Sequence, residues 1–405
     1  MTEAVIVAAA RSPIGRAHKG SLRACRADDL AATVVRAALG QVPELDPVEI
    51  DDLLAGCAQP AGEQGYGLGR LIALGLDLDG LPGTTVQRYC ASSLQSTRMA
   101  AHAIRAGEGD VFISAGVEVV SGYARGKADG MPDTRNPRYA AAIQRTQAVT
   151  ERALEWKDPR IDGDLPDPYV AMGLTAEFVA AQRGVSRRAQ DEFAALSQNR
   201  AEAAAAAGVF ATEIVPITTP EGSVVETDDS PRSGVTAEGL AALKPVFHPD
   251  GTVTAGNCCP LNDGAAALVV MSDRRASELG IAPLARIVST GVSALSPEIM
   301  GLGPVEASRQ ALRRTGMSID DIDLIEMNEA FAAQVLPSCD DLGADLEKVN
   351  VYGGAIALGH PFGMTGARMT VTLLNALRRR DETLGLVTMC AAGGQGMAMI
   401  VERVN

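Results

Sequence analysis

Apolar residues in this chain follow two alternating rhythms. Short runs rich in Val, Ile and Ala have the length of buried strands: Val5–Ala9, Ile50–Leu54, Thr84–Val86 and Val111–Ala115. Between them, Ala27–Leu39 and Ser92–Arg105 repeat their apolar residues at helical spacing. The same alternation returns after Arg286. Helix Val305–Arg314 leads there to strand Ile322–Glu326, helices Glu329–Leu336 and Gly363–Arg379, and strand Gly385–Met389. Alternation of this kind predicts a layered α/β fold.

The two stretches can be laid on each other. "AALGQVPELDPVEIDDLLAG" (37–56) aligns with "QALRRTGMSIDDIDLIEMNE" (310–329) as helix, turn and an Ile-Asp-rich strand. "CASSLQSTRMAAHAI" (90–104) aligns with "HPFGMTGARMTVTLL" (360–374), with Arg98-Met99 over Arg368-Met369. Ala115-Gly116 then falls near Cys390-Ala391. Three matches in one order at nearly constant offset read as a duplicated α/β unit. The expected halves are 1–116 with about 244–275, and 276–405. Between them, 117–243 is expected to be an inserted loop subdomain, a lid or binding element. It contains polar coil at 125–139 and 158–168, then helices Thr175–Arg183 and Arg187–Ala206. Ser186 is placed to cap the second of these and Gly208 to end it.

In this register Cys90 lies opposite His360. Each sits at a strand-to-helix corner, and a pseudo-twofold axis would turn the corners toward one another. A helix N-terminus favours the thiolate, and a facing imidazole supplies a base, so the pair suits nucleophilic catalysis. Without the repeat, Cys90 would read as one more small buried hydrophobe.

Charge and composition narrow the classes. A net charge of −14 argues against nucleic acid and against an anionic membrane surface, while leaving room for a polyanionic small ligand beside a local basic cluster. No apolar run reaches the ~18 residues of a membrane span, and Met1–Pro13 lacks the basic start of a signal peptide. Seven irregularly spaced cysteines without a C-x-x-C point to reduced thiols and a cytoplasmic setting. The 42 glycines suggest close backbone approaches.

Five blocks together resemble the thiolase family: "CASSLQS", "GTVTAGNCCPLNDGAAA" (251–267), "MNEAF" (327–331), "GGAIALGHPFGMTGAR" (353–368) and "TMCAAGGQGMA" (388–398). The resemblance implies a five-layer αβαβα fold, thiolytic cleavage of 3-ketoacyl-CoA by coenzyme A or the reverse condensation, and no cofactor beyond CoA as co-substrate. It also implies a homo-oligomer, a dimer of dimers, with β-oxidation enzymes as further partners. Carried over by position, Cys90 is the acylated nucleophile, His360 its base, and Cys390 the acid/base on the α-carbon of acetyl-CoA. Asn328 holds a water beside His360 in one oxyanion hole. The backbone N–H groups of Cys90 and Ala392 form the other. Arg232, Leu243, Cys259 and Phe331 fall among the substrate- and CoA-binding positions, and Met172 and Met300 match methionines that line the acyl pocket. The chemistry asks for the same parts: a soft nucleophile, oxyanion donors, and an acid where the enolate develops.

Several positions depart from the family pattern. Ser93 replaces a glycine, which suggests a tighter approach to substrate. Ala392 also replaces a glycine, which keeps its N–H role only if φ is not positive there. Cys259 replaces a serine that bonds the pantetheine arm. Adjacent Cys258 and Cys259 invite a metal reading, but no further ligands lie near in sequence. His18, His102 and His248 carry no motif, which leaves no second catalytic histidine for a ketoacyl synthase. The glycine-rich 353–366 lacks G-x-G-x-x-G, against a dinucleotide-binding dehydrogenase. Ala171 stands where short-chain members carry histidine, which favours a longer acyl chain over acetoacetyl-CoA alone. A non-catalytic subunit of an oxidation complex is the rival of a different class.

Overall fold

The computed structural model describes residues 2–131, 133–149 and 154–404. Its strands are β1 (Ala4–Arg11), β2 (Gly15–Arg16), β3 (Asp52–Gly56), β4 (Gly83–Val86), β5 (Val111–Val119), β6 (Ile217–Thr218), β7 (Val224–Val225), β8 (Asn262–Ser272), β9 (Ala285–Ala294), β10 (Leu324–Met327), β11 (Leu384–Ala391) and β12 (Gln395–Arg403). The helices are α1 (Ala27–Leu39), α2 (Leu68–Gly75), α3 (Ser92–Ala106), α4 (Ala140–Ala148), α5 (Met172–Arg183), α6 (Arg187–Ala206), α7 (Ala237–Ala241), α8 (Asp273–Leu279), α9 (Gly303–Thr315), α10 (Ala332–Leu342), α11 (Ala355–Leu358) and α12 (Thr365–Arg380).

The duplication is visible in the strand order. One half runs β1-β8-β5-β3-β4 and the other β9-β12-β11-β10. In both, the first three strands pair antiparallel and the next pairs parallel. Where β4 extends the first half in parallel, Val349 forms a parallel bridge to Ile325 in the second. The halves join where β1 meets β9 antiparallel, at Val5–Arg286 and Ile6–Ala285.

Three cores separate the layers. Leu30, Val34 and Ile72 of α1 and α2 pack on Leu53, Ile113 and Val269 of the first half. Ala311 and Leu312 of α9 and Val335 of α10 pack on Ile325, Leu386 and Ile400 of the second. Between the half-sheets lie α3 and α12, with Leu94, Ile104, Met369 and Leu373 against Ile6, Leu268, Val387 and Met399. The result is five layers, α-β-α-β-α. Because both faces of each half-sheet are covered, β8 is buried along its whole length and reads as a continuous apolar run. Helix α12 is buried from Thr365 to Leu377, in the middle layer.

Boundaries differ from the sequence pattern where side chains cap turns. β3 starts two residues late because the Asp46 carboxylate caps a turn at Pro47–Glu49. β10 does the same after a Ser318/Asp321 capping box. Helix α10 starts at Ala332 and not at Glu329, whose carboxylate is buried accepting from Ser197, Asn350 and the Ile356 N–H. It then continues through Pro337, held by burial of Val335 and Cys339. In the insertion, Ser186 caps α6 through the Ala189 N–H, and Gly208 follows its end with φ 67°. Among the described residues no helix is long and apolar enough to cross a membrane.

Candidate active site

The two corners set opposite each other by the repeat meet in the middle layer. After β4 the chain turns through a short 3₁₀ segment, Tyr89–Ala91, into α3, with Tyr89 strained at φ 45°. Ser92 Oγ fixes this turn by accepting from the Arg88 N–H (2.9 Å) and donating to the Tyr89 carbonyl (2.6 Å). The start of α12 packs on it backbone to backbone. A Cβ on Gly366 would lie 2.4 Å from the Leu94 nitrogen, and one on Gly363 would lie 2.4 Å from the Val117 oxygen. Ser93 belongs to this seam and not to the substrate space: it is buried, and its Oγ accepts from the Ala367 N–H at 2.9 Å.

His360 is held at four points. Its N–H donates to Asn262 Oδ1 (3.0 Å), and its ring meets Phe362 edge-on. Thr365 Oγ1 donates its one proton to the Pro361 carbonyl (2.8 Å), so at 2.7 Å from Nδ1 it can only accept. The network therefore assigns the proton to Nδ1 and leaves Nε2 with a lone pair. Asn328 Nδ2 donates to that Nε2 at 3.3 Å. Burial, helped by the Arg368 charge, pushes the His360 pKa down to about 3, so the imidazole is neutral at rest. The folded value lies below the unfolded one of about 6.5. The unfolded chain thus takes up a proton that the fold refuses, and stability falls as pH drops through that window.

Cys390 ends β11 in the hairpin that leads to β12. It is fully buried, and burial pushes its thiol up to about 12. In the hairpin Gly393 and Gly394 take the positive φ values, 79° and 76°, and Ala392 does not, so its side chain is tolerated. Burial and the neighbouring Cys390 raise the Cys90 pKa, whereas the N–H groups of Cys90 and Ala392 bear on its sulfur and oppose that rise. Those two N–H groups converge where charge would develop. A resting Cys90 thiol beside a neutral imidazole has a direct consequence. Alkylation of Cys90 by iodoacetamide should climb steadily from about pH 6 to about pH 9. A plateau beginning below neutrality would instead reveal a preformed thiolate–imidazolium pair.

Two positioning groups carry no motif. Arg88 donates to Gln95 (3.1 Å) and to Gln395 (2.6 Å), and Gln395 in turn donates to the Ala392 carbonyl (3.2 Å). The Cys90 corner is thereby tied to the hairpin that carries Cys390. Glu118, fully buried at the end of β5, accepts from the N–H groups of Ala58 and Gly363 (2.8 and 2.9 Å), from Gln64 (2.7 Å) and from the Tyr123 hydroxyl (2.9 Å). Burial raises its pKa, and these donors oppose the rise. An acid inside the apolar run "VFISAGVEV" was the available signal for it.

The other site residues fall into two places. Met300, Phe331 and Met172 share one apolar cluster with Cys390, and Phe331 meets Phe247 edge-on at 6.2 Å. Cys259 is held there by its N–H on the Ala330 carbonyl (3.1 Å), and its half-buried thiol is raised first by burial and then by its neighbours Cys258, Cys90 and Cys390. Arg232 lies elsewhere, in a crevice with Arg16, Ser230, Gly256 and Cys258. Leu243 is part-exposed beside that crevice, in line for contact with Gly256. Among the described residues no three His, Cys, Asp or Glu gather as metal ligands would, and all seven cysteines are free. Of the histidines without a motif, His248 is buried and satisfied, by the Asp250 N–H and the Val149 carbonyl.

A cavity of about 640 Å³ opens from Cys90 and Ala392. It runs past Phe362, Val120, Val170, Ala171 and Met172 to Tyr169 and the loop carrying Lys127 and Arg135.

Comparison with known proteins agrees with this fold. Residues 4–274 match the model of the thiolase N-terminal domain and 281–403 that of the thiolase C-terminal domain. The chain is 44% identical to the 3-ketoacyl-CoA thiolase of Cronobacter sakazakii and 43% identical to the beta-ketoadipyl-CoA thiolase of Acinetobacter baylyi, each alignment covering 100% of both chains. The crystal structure of the dimeric peroxisomal thiolase of Saccharomyces cerevisiae superposes with a TM-score of 0.88 at 35% identity, over 99% of this chain and 97% of that one. The acetyl-CoA acetyltransferase of Bacillus anthracis superposes with a TM-score of 0.85 at 38% identity, over 100% and 99%.

Proposed function

Since the chain belongs to the thiolase family, we propose that it cleaves 3-ketoacyl-CoA with coenzyme A, using Cys90, His360, Cys390 and Asn328. The observation that carries this reading is the convergence of the Cys90 and Cys390 thiols and the N–H groups of Cys90 and Ala392 at an acyl-sized cavity whose wall includes Phe362, the ring against which the neutral His360 imidazole packs.

The steps follow from the groups. His360 Nε2 takes the Cys90 proton as the sulfur attacks the 3-keto carbon. The oxyanion that forms draws on the N–H groups of Cys90 and Ala392. Collapse breaks the bond between C2 and C3. The leaving carbanion, an enolate of acetyl-CoA, takes the Cys390 proton, and the shortened acyl group remains on Cys90. The thiol of a second CoA, deprotonated by the Cys390 thiolate, then attacks the acyl-enzyme and regenerates Cys90, which recovers its proton from His360. Asn328 Oδ1 is a buried acceptor without a protein partner, which suits it to hold a water beside His360 for the enolate oxygen. Coenzyme A is the co-substrate, and no metal or redox group is needed. Arg232 and Arg16 supply cations for its phosphates in an otherwise acidic chain.

The protein is proposed to work as a homo-oligomer, a dimer of dimers, in the cytoplasm, where its free cysteines stay reduced and β-oxidation enzymes supply its substrate. Ala171 lines the cavity and adds no imidazole to it. Each buried methylene contributes up to about 0.8 kcal/mol, so several could favour a longer tail by about two orders of magnitude. Thiolysis of 3-ketodecanoyl-CoA should exceed that of acetoacetyl-CoA in kcat/KM. A marked preference for the four-carbon substrate would show that the Ala171 side of the cavity is closed in solution.

A further inference from the structure

One buried carboxylate serves both the wall of the acyl cavity and the turn that carries His360. Glu118, fully buried near the end of β5, divides its oxygens between separate elements. Oε1 accepts from the Gln59 N–H (3.3 Å), the Gln64 amide (2.7 Å), the Tyr123 hydroxyl (2.9 Å) and, at longer range, the Cys57 thiol (3.7 Å). Oε2 is shared by two backbone donors, the Ala58 N–H at 2.8 Å and the Gly363 N–H at 2.9 Å. Ala58, Gln59 and Tyr123 stand in the wall of the cavity that holds Cys90. The Ala58 carbonyl also accepts from Gln87 Nε2 (3.2 Å), and Gln87 lines the same cavity just before the Cys90 corner. Gly363 lies in sequence between Phe362 and Thr365, the residues of its own turn that contact the His360 ring. That turn has no slack beneath it, since a Cβ on Gly363 would meet the Val117 oxygen at 2.4 Å.

The Ala58, Gln59 and Gly363 N–H groups can only donate. Gln64 is locked as a donor too, because its own Oε1 accepts from the Val119 N–H at 2.6 Å. Both Glu118 oxygens must therefore accept, which calls for the ionised carboxylate. None of the groups bonded to it is a cation, and an anion kept so in the interior is costly to the fold. We propose that Glu118 is a positioning residue for thiolysis: it locks the acyl wall and the His360 turn in one register, so that the tail and the base meet the 3-keto carbon together. The proposal rests on the reading that Cys90 is the site of thiolysis, and it adds a residue on which that chemistry depends. The crevice of Arg232, Arg16 and Ser230 shares no residue with this network, so binding of CoA there is independent of it.

Glu118→Asp keeps the charge but withdraws the carboxylate by one methylene, so it cannot reach both Gln64 and Gly363. Its kcat for thiolysis should fall by about a hundredfold, the scale of a misplacement of about 1 Å, while KM for CoA stays within about twofold. Alkylation of Cys90 by iodoacetamide at about pH 9 needs neither the base nor the acyl wall, and should also stay within about twofold. Glu118→Gln fills the native volume and carries the test if the shorter side chain prevents folding. An amide accepts on one side only, so one anchor is lost. Its kcat/KM for the 3-ketoacyl substrate should drop by about tenfold or more, again with KM for CoA unchanged. Wild-type turnover in these variants, or changes spread equally over kcat, KM for CoA and alkylation, overturns the inference, while cleavage by the wild-type protein leaves the reading of Cys90 standing. Absence of cleavage by the wild-type protein overturns both.

Discussion

Cys90→Ser should lower thiolysis by about a thousandfold or more, with the fold intact. The reason lies in the resting state of the pair. His360 is a neutral imidazole whose conjugate acid is held near pH 3, so it is a weak base that removes a proton only as the nucleophile attacks. A thiol can share its proton in that transition state, and an alcohol is too weak an acid and too hard a nucleophile to do so. The Ser92 and Arg88 contacts that set the corner do not involve the Cys90 side chain, so the substitution leaves them in place. Trapping with labelled acetyl-CoA gives the second readout. Wild type should carry the label on the peptide containing Cys90, and the serine variant should carry none within the same time. Near-normal turnover by the variant would remove Cys90 from the chemistry.

Cys390→Ala separates the two thiols. Its side chain lies at the end of β11 behind the Ala392 N–H, and burial keeps it protonated. That is the state required of a group that must give a proton to a carbanion and then recover it. Losing a positioned general acid costs typically 10²–10⁴-fold, and thiolysis should fall by about that factor. Acylation of Cys90 by acetyl-CoA uses no carbanion, so the variant should still become acetylated. It should no longer exchange the methyl hydrogens of acetyl-CoA with deuterium. Persistent exchange at the wild-type rate would assign the α-carbon proton to another group, of which Cys259 is the nearest by chemistry.

The outline of this site was legible because the chain writes its fold twice. Cys90 and His360 could be set facing each other only through the repeat, and the offset between "CASSLQS" and "HPFGMTG" carried most of that weight. The duplicated α/β unit followed from the same repeat, and the count of five layers from the block resemblance alone. What stayed hidden depends on which residues meet after folding. Glu118 reaches six donors drawn from four separate stretches, and none of those pairings leaves a periodic trace. Thr365 looked like an ordinary helix residue, yet it selects the tautomer of His360. Ser93 was misplaced for a related reason: next to a catalytic residue in sequence, it points into the seam between two helices. Burial on both faces also masked β8, whose side chains have no solvent side to mark a period.

The position of β8 bears on how the chain reaches this state. Its eleven residues lie between β1 and β5, at the centre of the first half-sheet, but they come more than 140 positions after β5 ends. During synthesis, α1, β3 and β5 emerge long before the strand that must fill the gap between them. Until Ser272 leaves the ribosome, β1 and β5 each carry an open edge of Val, Ile and Ala toward the missing neighbour. Such edges are templates for pairing with another chain. Contacts of this sequence separation also form slowly, since loop closure must precede any gain from pairing. Yield in a fast expression host should therefore depend on the lifetime of that half-built sheet, and slower elongation or lower temperature should raise the soluble fraction.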